Sequence, residues 1–155
     1  MAEQNIAMVE INNLTENKIE SSRTKETIEL VLKREKKQGD ISVALIGPGR
    51  MRKLNKKYRG LNRVTDVLSF SEAEVEFGKF AIGQLKKTKN LGEIVVCPRE
   101  ILKTSRRQKS DFQKELDRVF IHGTLHLLGY DHEQTKEKSD IMRKKEEEYL
   151  LLIDN

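Results

Sequence analysis

One cysteine, Cys97, is present in 155 residues. No disulfide can therefore form within the chain, and the composition fits a reducing compartment. No apolar run approaches the length of a bilayer crossing. The opening residues, Met1-Ala-Glu-Gln-Asn, have neither the basic start nor the apolar stretch of a signal peptide. These absences lead us to expect a cytoplasmic protein without a membrane-embedded part. Internal repeats and low-complexity linkers are also missing. With 36% hydrophobic and 35% charged residues the chain is polar but foldable, and its length suits one core, so residues 1–155 are read as a single domain.

Acidic residues are scarce in one region. Between Lys33 and Arg59 ten basic residues (Lys33, Arg34, Lys36, Lys37, Arg50, Arg52, Lys53, Lys56, Lys57, Arg59) face only Glu35 and Asp40, within a net charge of +5. A second basic stretch holds Lys103, Arg106, Arg107 and Lys109. Such patches attract polyanions, nucleic acid above all, although a solvated helical surface gives the same composition. Tyr58 is the only aromatic of the first stretch, which favours backbone binding over base stacking.

Periodicity predicts alternating strands and helices. Residues 6–12, 40–47, 64–70 and 92–97 read as strands. Helices are expected over 17–37, with Thr24, Ile28, Val31 and Leu32 on one stripe, and over 50–58, stopped by Gly60. Further helices are expected over 98–105, opened by Pro98 at its first position, over 111–128 and over 134–152. Residues 71–90 have no clear period and read as a long loop or hairpin excursion. Cys97 ends a strand-like run and reads as a core thiol. The mixture implies an α+β fold with one small mixed or mostly parallel sheet packed against helices.

All three histidines fall within eleven residues, His122-Gly-Thr-Leu-His126-Leu-Leu-Gly129-Tyr-Asp-His132. Random placement gives this spacing about once in 4,000 trials, so it is treated as a motif. Residues four apart share a helical face, so His122 and His126 can reach one metal ion. Gly129 can end the helix in the left-handed conformation, and the turn can return His132 as a third ligand. Three imidazoles would leave a tetrahedral zinc one open position. On a helical projection Phe112, Leu116, Val119, Phe120, Gly123 and Leu127 form the core stripe, with both histidines at its edge. Glu115 shares the histidine face and reads as solvated. The ligand spacing is that of the metzincin peptidases, but those place a glutamate directly after the first histidine as general base. Here that position is Gly123.

With these residues in view, the chain resembles the YbeY family of bacterial ribosomal-RNA maturation endoribonucleases. The histidine motif at 122–132, Leu54-Asn-Lys-Lys-Tyr-Arg59, Thr65-Asp-Val-Leu-Ser-Phe70, Leu91-Gly-Glu-Ile-Val-Val-Cys97 and the trailing Met142…Glu146-Glu-Glu match family segments in order. Two departures are Ser71, where the family usually has proline, and Glu93, where it commonly has aspartate. The resemblance implies a zincin-like α+β domain and one zinc ion held by His122, His126 and His132, with no small-molecule cofactor. It further implies cleavage of single-stranded RNA, connected with 3′-end maturation of 16S rRNA, the small ribosomal subunit and ribosome quality control. Arg59 matches the family's arginine near the metal, where a guanidinium fork could bind phosphate oxygens. Asp131 and Glu133 are the nearest carboxylates, able to orient an imidazole or assist proton transfer. Two other readings remain: an RNA-binding ribosome-assembly factor whose metal is structural or vestigial, and a metallopeptidase lacking its base.

Overall fold

The structure, a computed structural model, describes residues 8–72, 90–130 and 135–154. Four strands, β1 (Val9–Asn13), β2 (Asp40–Leu45), β3 (Val67–Ser71) and β4 (Asn90–Val96), form one sheet in the order β1-β2-β4-β3. β1, β2 and β4 are parallel, and β3 closes one edge antiparallel to β4. Every residue of β2 is buried, as expected of a central parallel strand covered on both faces. The sheet is thus mixed, within the expected α+β class.

Among the described residues, five helices cover it: α1 (Ser21–Arg34), α2 (Pro48–Arg59), α3 (Pro98–Gln108), α4 (Phe112–Leu127) and α5 (Lys136–Asp154). On one face Ile28 and Leu32 of α1, Ile101 of α3 and Leu116, Val119 and Phe120 of α4 pack against Val9, Ile41, Val43, Leu45, Ile94 and Val96. On the other, Met51 of α2 meets Ala44, Ile46, Leu68, Phe70, Val95 and Cys97. Cys97 is therefore the core thiol its setting suggested, and burial raises its pKa. α5 forms an outer layer, with Met142, Tyr149 and Leu150 packed on Val31 of α1 and on Ile121 and Leu125 of α4.

The local signals explain most boundaries. Pro48 and Pro98 open α2 and α3, and Gly60, at φ +74°, stops α2 in the left-handed region. Asp111 caps α4 by accepting from the Lys114 N–H at 3.0 Å. Both expected apolar stripes face the core: Thr24, Ile28, Val31 and Leu32 are buried, and the α4 stripe lies against the sheet. The differences are at ends. α1 is shorter than residues 17–37, and β3 starts at Val67 instead of Val64. Residues 73–89 of the expected 71–90 loop lie outside the described residues.

Where α4 crosses the sheet the contact is close. A Cβ on Gly123 would lie 3.0 Å from Ile94 Cγ2 and 3.2 Å from Ser69 Oγ. The residue at the position of the peptidase glutamate therefore faces the sheet, where a larger side chain would press on Ile94 and Ser69.

Candidate functional site

α4 presents His122 and His126 one turn apart beside the β3 edge. Their rings meet edge to face, with centroids 4.6 Å apart. Both line a cavity of about 710 Å³ whose other walls are Asn55, Arg59, Leu61 and Arg63 from α2 and the loop after it, Thr65 to Ser69, and Gly129 and Tyr130 at the end of α4. Gly129, at φ +105°, makes the expected left-handed stop. The next residues of the motif, Asp131, His132 and Glu133, lie outside the described residues. The structure therefore brings two of the three expected ligands together with Arg59. Among the described residues alone, no group of three metal-ligating side chains forms.

His122 has a partner that spacing in the motif did not reveal. Its Nδ1 lies 2.5 Å from Glu146 Oε2, and Glu146 is mostly buried. A carboxylate placed there accepts from Nδ1–H and favours the tautomer whose Nε2 can act as a metal donor. The sequence held a signal for it. Glu146 lies four residues after Met142 and three before Tyr149, both buried, so it sits on the inward stripe of α5, where a carboxylate requires a partner.

Arg59, the last residue of α2, is held against the strand edge. Its Nη2 donates to the Ser69 carbonyl at 2.9 Å, its Nη1 donates to the Tyr58 carbonyl at 3.2 Å, and the guanidinium lies 4.9 Å from the Phe70 ring centroid. In the antiparallel pair the Cys97 N–H donates to the Asp66 carbonyl. Residues 66, 68 and 70 thus face β4, and Ser69 turns its carbonyl outward to Arg59. The Ser69 hydroxyl in turn donates to the Gly123 carbonyl at 3.4 Å. One residue of β3 thereby links the arginine to the histidine helix.

Asp66 is the carboxylate among the described lining residues. Burial pushes its pKa up, against the pull of nearby backbone N–H groups and of His122. Glu35 acts from outside the cavity. Its carboxylate accepts from Tyr130 Oη at 2.8 Å, from Lys145 Nζ at 2.9 Å and from Tyr149 Oη, joining the end of α1, the motif turn and α5. Glu35 is thus engaged internally, and the long basic stretch divides into the end of α1 and the outer side of α2. Glu115 is not solvated as expected: it is mostly buried and pairs with Arg118 at 3.5 Å.

A model of the family described as "Endoribonuclease YbeY" matches residues 10–154, nearly the whole chain. The chain belongs to the YbeY endoribonuclease family. Similar YbeY endoribonucleases include that of Thermodesulfovibrio yellowstonii, 44% identical over 71% of this chain and 64% of that protein. The Bacillus subtilis YbeY is 34% identical over 73% of this chain and 71% of its own length. The solution structure of TM1509 from Thermotoga maritima covers 94% of this chain and 89% of that one, with a TM-score of 0.64 and 32% identity. The YbeY assignment thus covers the sheet, the cavity walls and the histidine helix.

Proposed function

We propose that the chain is a zinc-dependent endoribonuclease that cleaves single-stranded RNA in the cytoplasm. Its role would be in 16S rRNA 3′-end maturation and ribosome quality control at the small subunit. The observation that carries this reading is the convergence of His122, His126 and Arg59 on one cavity, with His122 oriented by Glu146. Two imidazoles four apart, one with its Nδ1 already satisfied, are suitable donors for zinc, and His132 is the third ligand implied by the family motif. Zinc held there would acidify an attacking water and withdraw charge from the phosphate.

The protein's own groups supply the rest. Arg59 would bind the non-bridging oxygens of the scissile phosphate, with its fork held in place by Ser69 and Phe70. Arg63, also on the cavity wall, would hold a neighbouring phosphate. The cavity's basic and polar lining favours a polyanion, and the close seat of Gly123 on Ile94 and Ser69 disfavours a peptidase-type glutamate there.

The test is RNA cleavage with and without chelator, beside metal analysis. About one zinc per chain is expected, with cleavage lost on chelation and restored by zinc. Cleavage that persists after complete metal removal would refute the reading, as would full occupancy in His126→Ala. RNA binding without any cleavage would favour the assembly-factor alternative. A second measurement addresses Glu146. Glu146→Ala should weaken zinc binding about 10–100-fold in competition with a chromophoric chelator, whereas Glu146→Gln, which still accepts from Nδ1–H, should lose less. Equal affinity in the alanine variant would remove Glu146 from the site.

A further inference from the structure

α3 carries the second basic stretch, and its placement gives that stretch a meaning that composition alone could not. Pro98, Ile101 and Ser105 turn inward and are buried. Arg99, Lys103, Arg106, Arg107 and Lys109 all point to solvent. None of them lines the cavity, and none has a side-chain hydrogen bond or ion pair among the described residues. On α1, α4 and α5 some cations are paired with carboxylates of another element. Arg23 of α1 is paired with Asp117, Arg118 of α4 with Glu147, and Lys145 of α5 with Glu35.

The α3 arrangement works against the helix that bears it. Arg99 and Lys103, and Lys103 and Arg107, are like charges at four-residue spacing, which repel on a helical surface. Arg99 also lies in the first turn, where the helix dipole disfavours a cation. The dipole favours Arg106 and Arg107 in the last turn, but it cannot explain Arg99 or Lys103. Glu100 is the single carboxylate of the helix. An ordinary solvated face mixes both signs; this one is cationic along its length, which suits a polyanion. The stripe from Arg99 to Arg107 is roughly 12 Å long, long enough to follow several phosphates of one strand.

Position distinguishes it from the catalytic surface. α3 packs on the α1 and α4 side of the sheet through Ile101, whereas α2 and Arg59 approach from the opposite face. α4 runs antiparallel to β4, since Gly123 lies over Ile94 and Leu127 over Gly92. α3 therefore adjoins the first turns of α4, and the histidines lie in its second half.

We propose that the outer face of α3 is a second RNA-binding surface, taking the phosphate backbone of the substrate outside the segment held at the cavity. This rests on the reading that the cavity receives RNA. Cleavage would then require only the cavity, while affinity for a long RNA would come from both surfaces through a local-concentration effect.

The experiment compares the full chain with its Lys103→Glu/Arg107→Glu variant on two RNAs: an oligouridylate of about eight nucleotides, and the same segment extended by a long flank. The variant should cleave the oligonucleotide at the wild-type rate. It should bind the long RNA at least about 10-fold more weakly, and its plot of log K against log salt should be shallower by about 1.5, as expected for two lost phosphate contacts. Unchanged affinity for the long RNA would overturn the proposal and assign the face to a partner other than RNA. Equal losses on both RNAs would also overturn it, because α3 would then belong to one continuous site. If the reversed variant folds poorly, Lys103→Gln/Arg107→Gln gives the same comparison. Wild-type protein that binds the long RNA through α3 but cleaves neither RNA would instead count against the catalytic reading alone.

Discussion

Replacing Arg59 with alanine is expected to lower the cleavage rate about 10²–10³-fold, the usual loss when one preorganised donor to a developing charge is removed. Zinc content should be unchanged, because Arg59 lies on α2 and the histidines on α4, and the Ser69 link joins Arg59 to the Gly123 backbone, not to an imidazole. Lysine should rescue in part. It restores a point charge but cannot keep both the Ser69 carbonyl and a planar two-pronged grip on phosphate. The measurement compares single-turnover rates, RNA affinity and metal content for the two variants. An alanine variant with the wild-type rate would exclude Arg59 from the chemistry. Equal losses of affinity and rate would make it a binding contact only.

The second large effect concerns stability. Glu93 of β4 is 1% exposed, paired across the sheet with Ser42 and Phe70. Its Oε2 accepts from the Ser42 hydroxyl at 3.4 Å, and Oε1 has no partner among the described residues. Burial pushes this carboxyl from 4.5 up to about 7, against a smaller pull from Ser42. The folded state therefore holds the proton more tightly than the unfolded state. Its contribution to stability is fully present below about pH 4.5 and is lost as pH rises to about 7, a change of about 3 kcal/mol. Glu93→Gln keeps the neutral form at every pH. The variant should match the wild type near pH 4.5 and melt roughly 5–10 °C higher at pH 8. Thermal melts of both proteins across this range decide it, and a difference in melting temperature that does not vary with pH would contradict the assignment.

Much of this architecture was legible in the residues, for a physical reason. α4 has a 3.6-residue apolar stripe, a capping Asp111 and a terminating Gly129, all set by local interactions, so the direction in which it presents His122 and His126 followed from spacing. Arg59 reached the site by likeness to family segments, since nothing local distinguishes it from an arginine closing a basic helix. Glu146 and Glu35 were missed because their roles are tertiary: one meets a histidine 24 residues away, the other a tyrosine 95 residues away. Glu115 was misjudged because helical spacing does not show what packs around it; it is mostly buried and pairs with Arg118. Glu93 was noticed only as a departure from the family pattern, and its burial depends on neighbours in two other strands.

The contact between Gly123 and Ile94 also bears on how this scaffold can be altered. The single change Gly123→Glu, which would recreate the peptidase signature on paper, would crowd Ile94 and Ser69 and require that side of the helix contact to repack. On its sheet side the histidine helix has little room for a larger side chain, so a carboxylate is better introduced from the opposite cavity wall, where Asp66 already stands.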